Sequence, residues 1–113
     1  QKQNALAAWS VDHLAKYYFD LSSKDLAPHT HKQRVRQYEK YIKPCYGSVP
    51  VVSIRPPDIG DSLRSVAAIG KTLPRNILIL WTQLYHHAVG IGMVERNPCR
   101  DIKAEAIRRG EGT

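Results

Sequence analysis

Apolar residues recur at helical spacing along most of the chain, and the strongest pattern lies in residues 71–98. The apolar side chains there follow the i, i+3, i+4, i+7, i+8 spacing of a helix that buries one face. They are Ile77, Leu80, Trp81, Leu84, Tyr85, Ala88 and Val89. Thr72 offers a hydroxyl to cap this helix and Pro74 fixes its first turn, while Gly90 and Gly92 permit the positive φ with which many helices end. The pattern therefore predicts a long amphipathic helix bounded by these residues.

Two further amphipathic helices are predicted in the first half of the chain. The first covers residues 6–22, and the second begins with Thr30 as its cap and ends at about Ile42, because Pro44 cannot continue the hydrogen-bond ladder. The inward side chains of the first are expected to be Leu6, Trp9, Leu14, Tyr17, Tyr18 and Leu21, and those of the second Val35, Tyr38 and Ile42. The polar stretch 22–29 between them is typical of a loop.

A third helix is predicted to open at Pro56-Pro57-Asp58 and to finish before Gly70. Its buried side is expected to include Ile59, Leu63, Val66 and Ala67. Residues 49–54 are interpreted as a connector, because Pro50 has no N–H to donate to a strand ladder. Near the end of the chain, a last turn or short helix is expected from Asp101. The whole pattern predicts an all-α domain of four helices with short links.

The chain is basic, and its length fits one domain. Its 113 residues include 17 Lys and Arg against 10 Asp and Glu, which gives a formal net charge of +7. This balance favours polyanionic partners such as DNA, RNA or an acidic membrane surface. No apolar run approaches the roughly 20 residues of a membrane span and no signal peptide is recognisable, so a soluble intracellular protein is expected. Cys45 and Cys99 lie far apart, and no disulfide framework is indicated.

Polar side chains suited to anions cluster at two places on the predicted helices. The first is a stripe along the second helix, at spacings of four, four and three residues, formed by Lys32, Arg36, Lys40 and Lys43. The second is the start of the last helix, where free backbone N–H groups and the helix dipole favour an anion, with Lys71, Thr72, Arg75 and Asn76. Because long cations are ordinary on any exposed helix face, these residues alone leave DNA contact and simple solvation both open.

Other kinds of site are disfavoured. His86 and His87 are adjacent on a helix and point about 100° apart, so they cannot easily bind one metal ion, and His29 and His31 add no ligand pair at helical spacing. The six tyrosines and two tryptophans could stack on single-stranded nucleic acid, but most fall on inward stripes, which favours core packing. No nucleophile with a base, and no pair of carboxylates, stands at a spacing useful for catalysis.

The order of several landmarks resembles one protein family. The landmarks are Trp9, Leu14 and Tyr17 in the first helix, Thr30 opening the second, Ile42-Lys43-Pro44-x-Tyr46-Gly47 at its end, Val52 and Ile54 leading to Asp58-Ile59, and Ala88-Val89-Gly90 followed by Val94-x-x-Asn97-Pro98. Together they resemble the core-binding domain, also called the SAM-like N-terminal domain, of phage integrases and other tyrosine recombinases. The resemblance implies an all-α, small orthogonal four-helix bundle, with room for a short fifth helical turn.

In that family the domain clamps one side of duplex DNA and places two helices over the major groove. The resemblance implies that the second and fourth helices face DNA here. The residues expected to contact it are Thr30, His31, Lys32, Arg34, Arg36, Lys40, Lys71, Thr72, Arg75 and Asn76. The implied partners are double-stranded DNA, the protein's own C-terminal catalytic domain, and other recombinase protomers in a tetramer on DNA. No cofactor, metal or membrane is implied.

The family's chemistry belongs to a C-terminal domain, in which a tyrosine attacks a DNA phosphate while basic side chains stabilise the developing charge. The last tyrosine here, Tyr85, lies on the presumed core stripe, so the chain as given is expected to bind DNA without cutting it. A cytoplasmic, nucleoid-associated protein of bacterial or phage origin is expected. The alternatives are a stand-alone DNA-binding regulator and a helical protein-interaction domain that docks through Leu78 and Ile79. The expected division is a flexible lead-in at 1–5, the core-binding domain at 6–102, and a linker toward an absent catalytic domain at 103–113.

Overall fold

Four helices account for more than half of the residues that the structure describes. The computed structural model describes residues 9–100 and residue 102. Its long helices are α1 (Val11–Ser22), α2 (Pro28–Gln37), α3 (Pro56–Ala67) and α4 (Leu73–Gly90). The described part contains no β-strand beyond an isolated bridge between Ser10 and Pro50, so the predicted all-α, four-helix fold class is confirmed. The predicted lead-in, the helix start at Leu6, the turn from Asp101 and the linker at 103–113 lie outside the described residues.

The core is built around α4, as its periodicity predicts. Six of its seven predicted stripe residues are buried, whereas Val89, close to the end of the helix, is 38% exposed. Trp81 lies at the centre, where its indole N–H donates to Ser62 Oγ of α3 at 3.0 Å. The Tyr85 hydroxyl donates to the Val51 carbonyl at 2.8 Å and so satisfies a polar group of the connector. Buried polar groups need partners, and these two bonds provide them. They also join α4 to α3 and to residues 49–54.

The ends of α4 differ in how well they follow the prediction. Thr72 is the N-cap, but its hydroxyl makes no capping bond, because its backbone is helical (φ −95°, ψ −9°) rather than extended. At the other end Gly92 adopts φ 79°, and Met93 N–H and Gly92 N–H donate to Ala88 O and Val89 O. This pair of bonds is a Schellman motif, which requires the left-handed conformation that glycine adopts without strain.

The second helix begins earlier and runs further than predicted. Its N-cap is Ala27, not Thr30, and Pro28 occupies the first turn, where a missing N–H leaves no helix bond unmade. The helix also passes Pro44, through a π-helical turn (Tyr38–Ile42) and a last α-helical turn (Lys43–Tyr46). In the π turn Lys43 N–H bonds to the carbonyl five residues back. This shift of the ladder immediately before Pro44 lets the helix continue where a regular ladder would break.

The other predicted elements are largely confirmed. Helix α3 begins at Pro56, and Asp58 caps it by accepting the Arg55 backbone N–H at 2.9 Å. Its predicted inward residues Ile59, Leu63 and Val66 are buried, while Ala67 is half-buried. In α1 the predicted Leu21 is 38% exposed, and Val11 and Ala15 are buried in its place. Leu14 and Tyr18 of the predicted stripe are buried, and Tyr17 is half-buried. The helix starts at Val11 under a Ser10 cap, so the predicted helix does not extend over Trp9 and Ser10.

An ion-pair cluster ties α1 to the helical turns that continue α2. The Tyr38 hydroxyl donates to Asp12 Oδ1 at 2.9 Å, and the ammonium groups of Lys16 and Lys43 lie 3.3 Å and 3.9 Å from the same carboxylate. Burial by itself raises the pKa of Asp12, but the hydrogen bond and the two cations outweigh it, so the pKa lies below its ordinary value of 3.8. Burial and the Asp12 carboxylate raise the pKa of Tyr38 in turn.

This cluster predicts an acid-dependent loss of stability. Because the pKa of Asp12 is lower in the folded protein, its stabilising contribution is present above the unfolded value and is lost as the pH falls through the folded value. We expect Asp12→Asn to be less stable than the wild type at neutral pH, by about 1 kcal/mol. Its free energy of unfolding should also fall less below about pH 4. Urea unfolding at a series of pH values measures both effects.

The control for this experiment is Asp20→Asn, which removes an exposed carboxylate from the same helix. This variant should keep the acid-dependent loss of the wild type. An Asp12→Asn variant with an unchanged pH profile would show that the cluster does not couple α1 to the helical turns after α2.

The side chain of Asn97 attaches the segment after α4 to that helix. Asn97 donates through Nδ2 to the Thr82 carbonyl of α4 at 3.1 Å and accepts the Cys99 backbone N–H at 2.9 Å. Cys99 is buried, which raises the pKa of its thiol to about 12, whereas Cys45 is exposed. Both thiols are free. The Asn97-Pro98 pair therefore anchors the segment after α4 to the helix body.

Candidate nucleic-acid interface

The outer face of α2 and its π-helical extension carries three of the four residues of the predicted cationic stripe, whereas Lys43 lies 3.9 Å from Asp12 of α1. Lys32, Arg36 and Lys40 are exposed, whereas Tyr38 and Ile42 of the same continuous helix are buried. The three cations line an open groove of about 570 Å³. Glu39 lies in this groove as well, so its charge is not uniform. Lys40 also extends over the ring of Tyr41, with Nζ 5.4 Å from the centroid.

A second face of α2 meets the start of α4. Six residues line the cleft between the two helices, which has a volume of about 170 Å³ and is called the α2–α4 cleft below. They are Thr30, Gln33, Arg34 and Gln37 of α2, and Asn76 and Ile79 of α4. The α2 members follow the i, i+3, i+4, i+7 spacing of one helix face. Residues from the two predicted contact helices thus share one opening.

Arg34 has a fixed position in this cleft. Its Nη1 donates to the hydroxyl of Tyr18 at 2.7 Å, and Tyr18 is itself buried in α1. The guanidinium is half-buried and links α2 to α1. Part of its hydrogen-bonding capacity is therefore used inside the protein, and Arg34 has a structural role besides any contact with a ligand.

His31 lies on the α1 side of α2 rather than in the α2–α4 cleft. It lines the outer groove and a second groove between α2 and α1, and its ring meets the Phe19 ring edge-on at 6.0 Å. Its Nδ1 is buried and has no hydrogen-bond partner among the described residues. The His31 ring therefore packs against α1 and lies away from the cleft where DNA contact is predicted.

The start of α4 is open to a ligand. Lys71, Thr72 and Arg75 are exposed, and Asn76 is half-buried, while Pro74 is buried and holds the first turn against the body. The turn carries no acidic residue, so nothing local opposes the positive end of the helix dipole. The free N–H groups of this turn and its two cations favour an anion such as a phosphate.

The ten predicted residues therefore fall into groups. Thr30, Arg34 and Asn76 share the α2–α4 cleft. The exposed cations of α2 and of the α4 start stand in solvent, and His31 packs toward α1. Sequence reasoning missed Gln33 and Gln37, which complete the cleft. Their spacing of three and seven residues from Thr30 places them on the same helix face, which was the sequence signal available. Because amides carry no charge, a search for charged stripes does not find them.

The proposed protein-docking pair on α4 is only half correct. Ile79 is 38% exposed and lines the α2–α4 cleft, but Leu78 is half-buried and packs against the core. The two residues therefore differ in exposure, and the protein-interaction alternative stays a prediction.

Within residues 9–100 and 102, no group of three or more His, Cys, Asp or Glu is placed to hold a metal ion. In the same part of the chain, none of the helices combines the length and the apolar character that a bilayer span demands.

Burial lowers the pKa of His87, with a smaller contribution from neighbouring His86. This pair stands on the other half of α4 from the residues that line the cleft.

Comparison with known proteins identifies relatives of the chain. Residues 11–105 match the family model of the phage integrase central domain. The fold is similar to the solution NMR structure of a domain from a Nitrosospira multiformis protein described as a phage integrase, with a TM-score of 0.74 and 27% sequence identity. The similarity covers 87% of this chain and 84% of that domain. No curated protein sequence matches the chain significantly.

Proposed function

We propose that this chain, which belongs to the phage integrase central domain family, binds double-stranded DNA through α2 and the start of α4. The family membership confirms the resemblance that the order of landmarks indicates, and it relates the chain to tyrosine recombinases. The DNA-binding role is supported further by the charges of the two helices.

The α2–α4 cleft is the observation that carries this proposal. It is lined by residues of both helices, so a single duplex lying across it would meet the side chains of α2 and of the first turn of α4 together. Exposed cations are present on both helices, and the chain as a whole has a net charge of +7. Contacts of Lys and Arg with phosphates supply most of the affinity of such interfaces and position the protein on the duplex.

In the proposed role the domain holds DNA and performs no chemistry itself. Tyr85, the last tyrosine of the chain, is fully buried and donates its hydroxyl to Val51 O, so it cannot reach a phosphate. Cleavage and rejoining would be carried out by a catalytic domain of the same parent protein. Other protomers of that recombinase, assembled as a tetramer on DNA, would be the remaining partners.

Salt dependence of binding tests the proposal directly. If about five phosphates are neutralised, the logarithm of the affinity for duplex DNA should fall against the logarithm of salt concentration with a slope of about −4 to −5. Fluorescence anisotropy of a labelled random-sequence duplex, titrated at several salt concentrations, measures this slope. A slope near zero, or no binding at low salt, would refute DNA binding through phosphates.

A further inference from the structure

We infer that the α2–α4 cleft reads the edges of DNA bases and prefers A·T pairs, so that binding is sequence-specific and not limited to phosphates. The inference rests on the proposed DNA binding and adds to it the class of sequence that is recognised. The residues that carry it are the three amides of the cleft, Gln33, Gln37 and Asn76, together with Ile79.

Three primary amides converge on one small opening. Gln33 is exposed and Gln37 and Asn76 are half-buried, so each is accessible to a ligand. In the part of the chain that the structure describes, none of these amides hydrogen-bonds to another residue, in contrast to Asn97, which makes two bonds. Asparagine and glutamine form bidentate pairs with adenine through its N6 amino group and N7. The cleft therefore presents several groups of the type that adenine requires.

The spacing of the amides suits stacked bases. Gln33 and Gln37 are separated by four residues, which corresponds to about 6 Å along a helix axis. This distance is close to two steps of stacked bases, at about 3.4 Å each along one strand. Asn76 approaches from the other helix and can reach a base next to theirs. The arrangement allows contacts to two or three neighbouring pairs.

Ile79 adds an apolar surface to the same cleft. This isoleucine is 38% exposed, although most apolar side chains of α4 are buried. The methyl group of thymine is the apolar feature that distinguishes an A·T pair in the major groove, and apolar side chains recognise it by contact. An isoleucine in the same cleft thus suits the thymine of the pair whose adenine the amides bind.

The one arginine of the cleft already uses one nitrogen of its guanidinium inside the protein. Reading guanine requires two N–H groups of the guanidinium fork in one plane toward O6 and N7. Arg34 is half-buried, and its Nη1 is bonded to Tyr18 at 2.7 Å, so its orientation is set by α1. The exposed cations outside the cleft, Lys32, Arg36, Lys71 and Arg75, suit phosphates instead. The composition of the cleft therefore favours A·T over G·C.

Selection from a pool of random duplexes of about 20 base pairs, followed by sequencing, tests this inference. The wild type should enrich two or three neighbouring A·T positions. Gln33→Ala and Gln37→Ala should each lower the preference at one of these positions about tenfold, without a change in the salt slope. Gln33→Glu should replace the preference for adenine at its position by one for cytosine, because a carboxylate accepts from the cytosine amino group.

Gln83→Ala is the matched control, because Gln83 is an amide of the same helix as Asn76 and does not line the cleft. This variant should leave the enriched sequence unchanged. Duplex binding without any enriched position would overturn base reading and leave the proposed function standing. Enrichment of G·C positions, or enrichment that survives Gln33→Ala and Gln37→Ala together, would also overturn it. Failure to bind any duplex would instead refute the proposed function itself.

Discussion

Replacing Lys32 and Arg75 together with alanine is expected to lower the affinity for duplex DNA about 100-fold near 0.1 M salt. Each side chain is exposed, and one stands on α2 while the other stands at the start of α4. A hydrogen bond to a charged group contributes roughly 1.5 kcal/mol or more, and a tenfold change in affinity corresponds to about 1.4 kcal/mol. The loss is therefore large only if both residues contact the same duplex.

The salt slope distinguishes this explanation from general loss of charge. Each single substitution should make the slope shallower by about one, and the double substitution by about two. Arg64→Ala is the matched control, because it removes another exposed cation, one whose charge is paired with Asp61. That variant should bind DNA nearly as well as the wild type. Circular dichroism melts should be unchanged for all of these variants, since none removes a buried contact.

Two outcomes would contradict the arrangement. If either single substitution has no effect on affinity, the corresponding helix does not face the DNA, and the two helices do not act as one surface. If the double variant loses no more than the more affected single variant, the two cations contact the duplex in alternative complexes. Either result would remove the basis for a clamp formed by α2 and α4.

Helices α3 and α4 could be predicted from the sequence because local signals agree there. The buried face of α4 repeats over the whole length of the helix, and Gly92 provides the left-handed residue that its end requires. In α3 the Pro56-Pro57-Asp58 start combines a fixed backbone with a capping carboxylate. Tertiary packing agrees with the helix boundaries that these local signals predict.

The boundaries of the second helix could not be predicted in the same way. Thr30 is a good capping residue and Pro44 is a strong helix breaker, so local rules placed the ends there. The chain instead buries Tyr38 and Ile42 in the core and ties Tyr38 to Asp12, which holds the segment helical up to and past Pro44. The π turn shifts the hydrogen bonds just before Pro44, which has no N–H to donate. Because this shift depends on tertiary contacts, local rules could not predict it.

The candidate site was predictable only in its charged part. Lys32, Arg36 and the start of α4 stand out because cations and helix starts have a recognisable pattern. Gln33 and Gln37 do not stand out, since uncharged polar residues on a helix are ordinary. Their significance depends on Asn76 lying opposite them, and this pairing follows from how α2 packs on α4. Such a contact between distant segments has no local signature.

Trp81→Ala is expected to lower the free energy of unfolding by about 3–5 kcal/mol, which is a large part of the stability of a small domain. Trp81 is fully buried, meets the ring of Tyr46 edge-on at 5.5 Å and bonds to Ser62 at 3.0 Å. Its removal leaves a cavity between α3 and α4 and a buried hydroxyl without a partner. Urea unfolding followed by circular dichroism measures the change.

Two control variants separate the causes of the loss and relate it to DNA binding. Ser62→Ala removes the bond to the indole without a large cavity and should lower the free energy of unfolding by about 1 kcal/mol. Trp9→Ala, at a half-buried tryptophan, should lower it by less than Trp81→Ala does. Because Trp81 supports α4 from inside and cannot touch DNA, the affinity of Trp81→Ala should equal that of the wild type once it is corrected for the folded fraction. A residual loss of affinity after this correction would show that the cavity displaces the start of α4. A loss of stability below about 1 kcal/mol would show instead that Trp81 is not at the centre of the core.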